Sequence, residues 1–427
     1  MKFYSTKKQS PEVDFKTALF QGIASDGGLY MPVSIPHVLP EELEKVSTLQ
    51  DAAFLVMRKW MSPEDITDDD LQPLIQEAFS FPLPLVPVGD FSILELFHGP
   101  TMAFKDIAAG VLARLFGYYL GKEKREITIL VATSGDTGGA IAQAFSGIKH
   151  VKVVVLYPVG KVSELQEEQL TRVGENVLSI AIDGCFDECQ AFVKHAFQDP
   201  DLHKYNLSSA NSINIGRLIP QIIYYMWASA QLKFASARFV VPSGNMGNAT
   251  AALLAQRMGV PITSLVIATN ENDVAVEYYQ TGVYKNKKTV QTLSTAMDIG
   301  KPSNFERILE LFDYDYDEFK QLITAVKVTD EETAATIKKV FAQQHYLMDF
   351  HTAVGYCAAE KTAVSELATI VVSTASPIKF AKEMEEETGI TVDNTKVLET
   401  LRKKEKHVIH ASSDYEEFKK ILVEKLI

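Results

Sequence analysis

The sequence predicts an α/β protein built on mostly parallel sheets. Two observations favour this class. From residue 91 onward, apolar runs of strand length alternate with helical segments, and these strands are apolar on both faces, as strands covered by helices on each side are. The length of 427 residues, 46% of them hydrophobic, predicts two or three domains with full cores. In this fold class, binding sites lie at the carboxyl ends of strands.

Residues 1 to about 90 carry weaker structural signals. Residues 15–21 fit a short amphipathic helix, and residues 26–32 fit a turn that leads into an extended piece. Residues 41–59 repeat at helical spacing, whereas the proline-rich run 81–87 cannot be helical and predicts a linker. We therefore expect a separate N-terminal domain that ends near residue 90.

The remaining chain has the regular alternation. The predicted strand–helix pairs are 127–132 with 137–145, 151–157 with 162–173, 177–182 with 186–197, and 239–242 with 249–258. A further helix is predicted over 214–232 and a further strand over 265–269. Residues 270–369 are expected to be mainly helical, and a buried strand that ends in hydroxyl side chains follows them.

Charge and cysteine content exclude several classes of function. The formal net charge is 42 − 55 = −13, which argues against nucleic acid as a partner, although a local pocket can still bind a small anion. Cys185, Cys189 and Cys357 form neither a disulfide framework nor a metal site, so we expect reduced thiols in a cytoplasmic protein. Residues 1–8 lack the apolar core of a signal peptide, and no apolar run reaches the ~18–20 residues that span a membrane, so we expect neither feature.

One lysine lies in an unusual position. Lys105 follows a predicted strand, precedes a predicted helix, and lies next to Phe104 just after a Gly-Pro turn. Burial disfavours the ammonium form and lowers the pKa, and a neutral amine can form a Schiff base with an aldehyde. A lysine whose stem merely covers apolar surface would give the same local sequence.

Two loops between a strand and a helix carry small polar residues. In residues 132–140, Thr133, Ser134 and Thr137 lie at a helix start, where free N–H groups suit a carboxylate or phosphate; ordinary helix capping explains them equally well. Residues 241–249 contain two glycines three apart, which let several backbone N–H groups point at one anion. Their spacing matches neither the P-loop nor the dinucleotide fingerprint.

Another polar segment precedes an arginine. Residues 208–217 contain more amides and hydroxyls than capping requires, and Arg217 could hold an anion through two hydrogen bonds. This density favours a ligand site. Lys161 follows a fourth strand and could add a cation, although most loop lysines are solvated.

Several of these segments together resemble the threonine synthases, pyridoxal-phosphate (PLP) enzymes of the fold family shared with the tryptophan synthase β chain and the serine/threonine dehydratases. The matching segments are ELFHGPT (95–101), AFKD (103–106), ATSGDTG (132–138), SANSIN (209–214), PSGN (242–245), QG (21–22), DGGLY (26–30) and AMDIGKPSN (296–304). Since they cover nearly the full length, the resemblance is to the longer form with an extra N-terminal domain.

The resemblance implies the PLP-dependent fold type II, with two doubly wound open sheets plus an N-terminal domain. The implied N-terminal domain covers 1–90, and a large PLP-binding α/β domain combines 91–105 with 212–427. A smaller α/β domain, 106–211, would contribute substrate loops. The oligomeric state stays open between monomer and homodimer.

The resemblance also implies roles for individual residues, with Lys105 as the catalytic residue. The residues implied to bind the cofactor are Lys105, Asp136, Gly244, Asn245, Met246, Gly247, Asn248 and Thr374. Those implied to bind the substrate are Thr133, Ser134 and Thr137 for its carboxylate, and Asn211, Ser212, Asn214, Arg217 and Lys161 for its phosphate. No metal is expected. Two positions depart from the pattern: Asp136 stands where the wider superfamily often has an asparagine at the cofactor 3′ oxygen, and Ser376 where this form often has a histidine.

The implied activity is a PLP-dependent carbon–oxygen lyase acting on phosphates. It would convert O-phospho-L-homoserine and water into L-threonine and phosphate by γ-elimination and β-addition, the last step of threonine biosynthesis, with Lys105 as general base. Two alternatives remain open. One is a PLP-dependent serine/threonine dehydratase or β-replacement enzyme, whose substrates lack a γ-phosphate. The other is a non-catalytic protein that binds phosphorylated metabolites.

Overall fold

The structure, a computed structural model, describes residues 1–364 and 367–426, and within these residues it contains three sheets. Residues 365, 366 and 427 fall in the predicted domain range 212–427 and lie outside the described residues. The smallest sheet is antiparallel, with the strand order β2-β1-β3. Its strands are β1 (Lys2–Ser5), β2 (Val13–Asp14) and β3 (Tyr30–Pro32).

The largest sheet has the strand order β12-β11-β10-β13-β5-β4. Its strands are β4 (Leu85–Val88), β5 (Phe91–Glu95), β10 (Ala237–Pro242), β11 (Ile262–Thr269), β12 (Ile323–Lys327) and β13 (Ala368–Ser373). Every neighbouring pair is parallel except β4 with β5.

The third sheet is parallel throughout, with the order β14-β8-β7-β6-β9. Its strands are β6 (Ile127–Ala132), β7 (Val151–Pro158), β8 (Val177–Ile182), β9 (Leu207–Ser208) and β14 (Val408–Ala411). The bounds of β6 and β8 are those that the sequence predicts. Both strands consist almost entirely of buried apolar residues, which makes their ends easy to recognise.

Helices surround these sheets. The α-helices before residue 240 are α1 (Phe15–Gln21), α2 (Pro40–Leu43), α3 (Leu49–Trp60), α4 (Asp68–Ala78), α5 (Lys105–Glu123), α6 (Asp136–Phe145), α7 (Glu164–Thr171), α8 (Phe186–Gln198), α9 (Ile215–Leu218) and α10 (Ile222–Gln231). Those after it are α11 (Gly247–Arg257), α12 (Val274–Thr281), α13 (Phe305–Leu311), α14 (Tyr316–Leu322), α15 (Asp330–Gln344), α16 (Phe350–Lys361), α17 (Ala381–Thr388), α18 (Thr395–Arg402) and α19 (Tyr415–Leu426). Short 3-10 helices cover Pro200–Tyr205, Ile219–Gln221, Thr295–Met297 and Pro377–Phe380.

Both larger sheets are covered on each face. In β10, Phe239 and Val241 pack in one hydrophobic core, whereas Val240 between them packs in another. In β6, Ile129 belongs to the first of these cores and its neighbour Leu130 to a third. Because successive side chains of a strand point to opposite faces, apolar layers lie on both sides of each sheet. The predicted α/β class with mostly parallel sheets is confirmed.

Two predicted helices are interrupted. Residues 41–59 form α2 and α3 instead of one helix, because Thr48 accepts a hydrogen bond from the backbone N–H of Asp51 and starts a new helix there. Residues 214–232 form α9, a 3-10 turn and α10, with Pro220 in the turn. Proline has no N–H to donate, so it fits a local change of helical form.

Three edge strands depart from the sequence prediction. Strand β12 lies within 270–369, which was expected to be mainly helical, and β4 occupies part of the proline-rich run that was expected to be a linker. Pro87 is tolerated in β4 because an edge strand needs hydrogen bonds on one side only. Strand β14 was not predicted.

Two strands lie in a different sheet from most of the predicted domain that contains them. Strand β4 lies in the six-stranded sheet although the N-terminal domain was predicted to extend over 1–90. Strand β14 pairs with β8 in the five-stranded sheet although 212–427 was assigned to the domain with the larger sheet. The C-terminal segment therefore returns to the smaller sheet. The division into domains itself stays a prediction.

A buried arginine ties the N-terminal sheet to the rest of the chain. The guanidinium of Arg307 is fully buried and donates to the carbonyl oxygens of Tyr30 and Ile213, at 2.9 and 2.8 Å, and to Asn304 Oδ1 at 2.7 Å. Burial lowers its pKa to about 9, so the group stays charged at neutral pH. Tyr30 belongs to β3, whereas Ile213 and Asn304 lie in loops beside the two larger sheets.

We expect the variant Arg307→Ala to lower the free energy of unfolding by about 3 kcal/mol, because it leaves buried carbonyl oxygens without a donor. Urea denaturation followed by circular dichroism measures the loss. The matched control is Arg402→Ala. The guanidinium of Arg402 forms a half-exposed ion pair with Glu164, and its loss should lower the free energy of unfolding by less than about 1 kcal/mol. Equal losses in the two variants would contradict this role of Arg307.

Candidate active site

Three neighbouring strands of the six-stranded sheet bring the predicted cofactor residues to one edge. Strands β10, β13 and β5 are adjacent and parallel, so their carboxyl ends lie side by side. The chain that leaves β10 contains residues 243–248, the chain that leaves β13 contains Thr374, and the chain that leaves β5 leads to Lys105. These three segments, which are far apart in the sequence, therefore meet at the carboxyl ends of the strands, where binding sites are expected in this fold class.

The backbone fixes Lys105 against the end of β13. Phe104 N–H donates to the carbonyl oxygen of Thr374 at 2.8 Å, and Ser376 N–H donates to that of Met102 at 3.0 Å. Lys105 is then the first residue of α5. The backbone of Thr374 thus lies beside that of Phe104, the residue before Lys105.

The amine of Lys105 is in a low-dielectric environment. Its side chain is 15% exposed, and Nζ lies 3.5 Å from Oδ2 of Asp136. Burial lowers the pKa of Lys105; the Asp136 carboxylate opposes this effect, and the charges of Lys379 and Arg217 reinforce it. At a given pH, a larger fraction of Lys105 is therefore neutral than of a surface lysine.

A second buried carboxylate follows Lys105. Asp106 accepts hydrogen bonds from the N–H and the hydroxyl of Thr101, at 2.8 and 2.5 Å. Burial raises the pKa of Asp106, and these hydrogen bonds and the charge of Lys379 counter the rise. Gly99 packs so closely on this carboxyl that a Cβ would lie 2.6 Å from Oδ2, which explains the glycine before Pro100.

The turn after β10 has the features of a phosphate cradle. Met246, with φ of 61°, ends the turn, and α11 begins at Gly247. A Cβ on Gly244 would lie 2.6 Å from Cα of Met297, so this position has no room for a side chain. Two buried polar atoms beside it, Ser243 Oγ and Asn248 Nδ2, have no hydrogen-bond partner among the described residues.

The Asn248 side chain is held in one orientation. Its Oδ1 accepts hydrogen bonds from the hydroxyls of Tyr224 and Tyr225, each at 2.6 Å, so Nδ2 is left free to donate. Free donors at the amino end of an eleven-residue helix suit an anion. The residues present therefore fit the phosphate group of PLP, and Lys105 fits its aldehyde.

Asn245 joins the two larger sheets. Its Nδ2 donates to Ser212 Oγ at 2.6 Å, and its Oδ1 accepts from the N–H of Ser303 at 2.6 Å. Ser212 lies beyond β9 of the five-stranded sheet, so this amide connects the predicted cofactor loop with the predicted substrate loop.

The loop after β6 lies opposite Lys105. Thr133 Oγ1 accepts from the N–H groups of Gly135 and Gly138, at 3.0 and 2.8 Å, which leaves its own proton available for a ligand. Ser134 is exposed and Thr137 is half-buried at the start of α6. The predicted carboxylate-binding hydroxyls therefore share one short turn.

Arg217 supplies a cation with a free donor. It is 3% exposed, its Nη1 donates to the carbonyl oxygen of Ala210 at 2.7 Å, and its Nε has no hydrogen-bond partner among the described residues. Burial lowers its pKa to about 10, so Arg217 remains charged at neutral pH. Within the described part of the chain, no carboxylate forms an ion pair with this buried guanidinium, which therefore suits an anionic ligand.

The other residues predicted to bind the substrate phosphate differ from Arg217 in burial and in their hydrogen bonds. Asn211 and Ser212 are half-buried, and Lys161 is exposed beyond β7. Asn214 is fully buried, and its amide donates to the carbonyl oxygens of Leu19 and Ser209 while it accepts from the N–H of Gly216. Because these bonds occupy the amide, Asn214 anchors helix α1, and the geometry does not support its predicted contact with the substrate phosphate.

The sequence reasoning missed three polar residues at this site. Lys379 is completely buried and pairs with Asp136, while Gln166 and Gln169 of α7 contact Asp136 and Lys379. Lys379 lies only six residues beyond the end of β13, in the kind of strand-end loop where this fold class has its binding sites. Gln166 belongs to a Ser-x-x-Gln capping box with Ser163, a pattern readable from the sequence.

No helix within the described residues is long and apolar enough to cross a membrane. In the same part of the chain, no group of three or more His, Cys, Asp and Glu residues could hold a metal ion.

Three family models match the chain. The one described as "Pyridoxal-phosphate dependent enzyme" matches residues 84–375. The one described as "Threonine synthase N terminus" matches residues 2–79, and "Threonine synthase, C-terminal" matches residues 352–422.

Curated and solved relatives agree with these matches. The threonine synthase of Saccharomyces cerevisiae is 37% identical over 99% of this chain and 98% of its own. The crystal structure of PLP-bound threonine synthase from Brucella melitensis superposes with a TM-score of 0.94 at 34% identity, covering 100% of this chain and 98% of the other. That of Escherichia coli threonine synthase gives 0.90 at 38% identity, covering 99% and 100%. The chain therefore belongs to the threonine synthase family of pyridoxal-phosphate-dependent enzymes.

Proposed function

We propose that this chain converts O-phospho-L-homoserine and water into L-threonine and phosphate, with PLP bound through Lys105. The observation that carries the proposal is the pairing of two anion sites around one buried amine. One site is the turn after β10, with free donors on Ser243 and Asn248, and the other is the buried Arg217. A phosphorylated cofactor and a phosphorylated substrate require such a pair.

The residues that hold PLP would divide its groups among them. When bound, PLP stabilises negative charge on substrate carbon atoms near the amino group. The turn of residues 243–248 would bind its phosphate, and Lys105 its aldehyde carbon. Thr374 would face its ring nitrogen with a hydroxyl, which, unlike a carboxylate, does not favour protonation of that nitrogen.

Lys105 would also move protons. An amine whose pKa is lowered by burial can take a proton from the substrate Cα at neutral pH, and the ammonium form can return it. In the overall reaction, the bond between Cγ and the phosphate oxygen breaks, and the hydroxyl group of water replaces one hydrogen on Cβ. Of the two hydrogens released, one from Cβ and one from water, one joins Cγ to form the methyl group and the other joins the phosphate. Thr133, Ser134 and Thr137 would hold the substrate carboxylate and so fix the direction in which the Cα proton points.

Arg217 decides between this reaction and that of a dehydratase. A substrate without a γ-phosphate would leave the free donor of Arg217 buried and unpaired, which costs roughly 1–3 kcal/mol. Asn211 and Ser212, half-buried in the same loop, would add donors to the phosphate. The phosphorylated substrate therefore fits the site better than serine or threonine.

We further propose that the chain acts in the cytoplasm as a monomer or homodimer, without a nucleic-acid partner. Its three cysteines, Cys185, Cys189 and Cys357, are free thiols, which suits a reducing compartment. The net charge of −13 disfavours contact with phosphate backbones.

The direct test is to incubate the PLP-loaded chain with O-phospho-L-homoserine and to measure released phosphate and new threonine. Equal amounts of both products are expected. Formation of 2-oxo acids from serine or threonine, without phosphate release from phosphohomoserine, would favour a dehydratase. Binding without turnover of any of these substrates would favour the non-catalytic alternative.

We expect Arg217→Gln to raise KM for O-phospho-L-homoserine by about 10-fold to 100-fold, because a charged hydrogen bond of about 1.5–3 kcal/mol is lost. Steady-state phosphate release measures KM, and absorbance verifies that PLP remains bound. The matched control is Arg125→Gln, an exposed arginine near the end of α5. An unchanged KM in Arg217→Gln would refute the assignment of the substrate phosphate to this residue.

We expect Gly244→Ala to weaken PLP binding by about 10-fold or more, since overpacking against the backbone of Met297 costs about 1–3 kcal/mol. Titration of the cofactor-free chain with PLP, followed by absorbance, gives the affinity. Gly121→Ala is the control, because no atom lies within 4 Å of a Cβ at that position. Equal affinities for the two variants would show that the turn does not hold the cofactor.

The lowered pKa of Lys105 makes a pH-dependent prediction. Only the neutral amine attacks an aldehyde, so covalent attachment of PLP should reach half its maximal rate below pH ~10.4, the ordinary lysine value. Stopped-flow absorbance measures the rate between pH 6 and pH 11, with N-acetyl-lysine amide as the reference amine. Lys105→Ala should remain colourless after dialysis. Identical midpoints for the protein and the reference amine would contradict the burial argument.

A further inference from the structure

Lys379 is a buried lysine whose hydrogen bonds are complete. Its side chain is 0% exposed, and its Nζ lies 2.6 Å from the carbonyl oxygen of Thr101, 3.0 Å from Gln169 Oε1 and 2.9 Å from Asp136 Oδ1. An ammonium group has three protons to donate, and here each has an acceptor. The geometry therefore fits the charged form, with no donor left for a substrate.

Asp136 faces two lysines at once. Its Oδ1 accepts from Lys379 and, at 2.9 Å, from Gln166 Nε2, while its Oδ2 lies 3.5 Å from Lys105 Nζ. Burial alone would raise the pKa of Asp136; the charges of Lys379 and Lys105 and the hydrogen bonds outweigh burial and lower it. Asp136 is therefore a carboxylate whose free edge is directed at the reactive amine.

We propose that Lys379 is a positioning residue, whose ammonium group holds the Asp136 carboxylate against Lys105 and balances its negative charge. This role rests on the proposed function in one respect, since PLP is taken as the partner of Lys105. Without Lys379, Asp136 would place an unbalanced negative charge beside the amine. The Lys105 amine would then hold its proton more tightly, and a smaller fraction of it would be neutral at neutral pH.

The position of Lys379 in the fold supports this role. It lies in the 3-10 turn after β13 of the six-stranded sheet, whereas Asp136 starts α6 behind β6 of the five-stranded sheet. Ser163 Oγ, which caps α7, also donates to the backbone carbonyl oxygen of Lys379 at 3.0 Å. Lys379 is thus anchored by both its side chain and its backbone, and its charge has a fixed place between the two sheets.

A purely structural role would have different consequences. Loss of a purely structural ion pair would lower stability. It would not be expected to shift the pKa of Lys105 upward when Lys379 is removed and downward when Asp136 is removed. Removing the cation should raise the pKa at Lys105, removing the anion should lower it, and removing both should nearly restore it. The sign of each change follows from the charge that remains beside Lys105.

The test compares Lys379→Met, Asp136→Asn and the double variant as full-length, PLP-loaded proteins. Absorbance spectra between pH 5 and pH 11 give the midpoint at which the lysine–cofactor bond loses its proton. We expect the midpoint to rise by about one unit or more in Lys379→Met and to fall by a similar amount in Asp136→Asn. The double variant should lie close to the original chain. Lys122→Met, an exposed lysine on α5, is the control and should show no shift.

A second measurement separates this inference from the proposed function. In the cofactor-free full-length chains, competitive acetylation by acetic anhydride, read by mass spectrometry, gives the pKa of the Lys105 amine without PLP or substrate. The same order of pKa values is expected: Lys379→Met highest, Asp136→Asn lowest. A chain that makes no threonine but keeps this order would refute the proposed function and leave the inference standing.

Two results would overturn the inference. One is an unchanged midpoint in both single variants, and the other is a shift in the same direction in both. If Lys379→Met fails to fold, Asp136→Asn is compared with the double variant instead. Neither of these two variants contains an unbalanced carboxylate, so they differ only in the charge of Lys379. The double variant must then lie above Asp136→Asn by about one unit or more.

Discussion

The site depends on keeping charged groups out of water without leaving any of them unbalanced. Lys105, Asp136 and Lys379 form a chain of alternating charge, and Asp106 and Arg217 lie close enough to influence it electrostatically. Burying a single charge is far more costly than burying a neutralised pair with complete hydrogen bonds. The surrounding structure must therefore supply each group with a partner, except for those donors that a ligand is meant to meet.

Two parallel sheets supply these partners because their carboxyl edges face one another. The six-stranded sheet contributes Lys105 and Lys379, and the five-stranded sheet contributes Asp136. The ion pairs of Asp136 with Lys105 and Lys379 therefore need residues from both sheets. Arg307 and Asn214 fix the N-terminal segments against the loops that border this junction, through bonds to Tyr30 and Leu19. The N-terminal region thus packs against the loops that border the site.

The sequence predicted those features that depend on local pattern. Strands β6 and β8 were located to the residue because both faces are apolar, and Lys105 was recognised because a strand, a turn and a helix start surround it. Edge strands such as β12 and β14 were missed, since half-buried strands lack a continuous apolar run. Lys379 was missed for another reason: a buried lysine looks like a surface lysine until its partners, 210 or more residues away in sequence, are known. Asn214 shows the converse error, because a polar side chain in a ligand loop was in fact used to anchor a helix.

The two anion sites differ in a way that suits their proposed ligands. Neutral donors form the turn after β10: backbone N–H groups, a serine hydroxyl and an asparagine amide. Such donors hold a phosphate that stays bound through every turnover. The second site uses Arg217, which remains charged at neutral pH, and a cation stabilises a phosphate most strongly as negative charge builds up on it. A leaving phosphate gains charge as its bond to Cγ breaks, whereas the cofactor phosphate does not. The guanidinium is therefore better suited to the proposed substrate phosphate than to the cofactor phosphate, and at that place it would favour bond cleavage over simple binding.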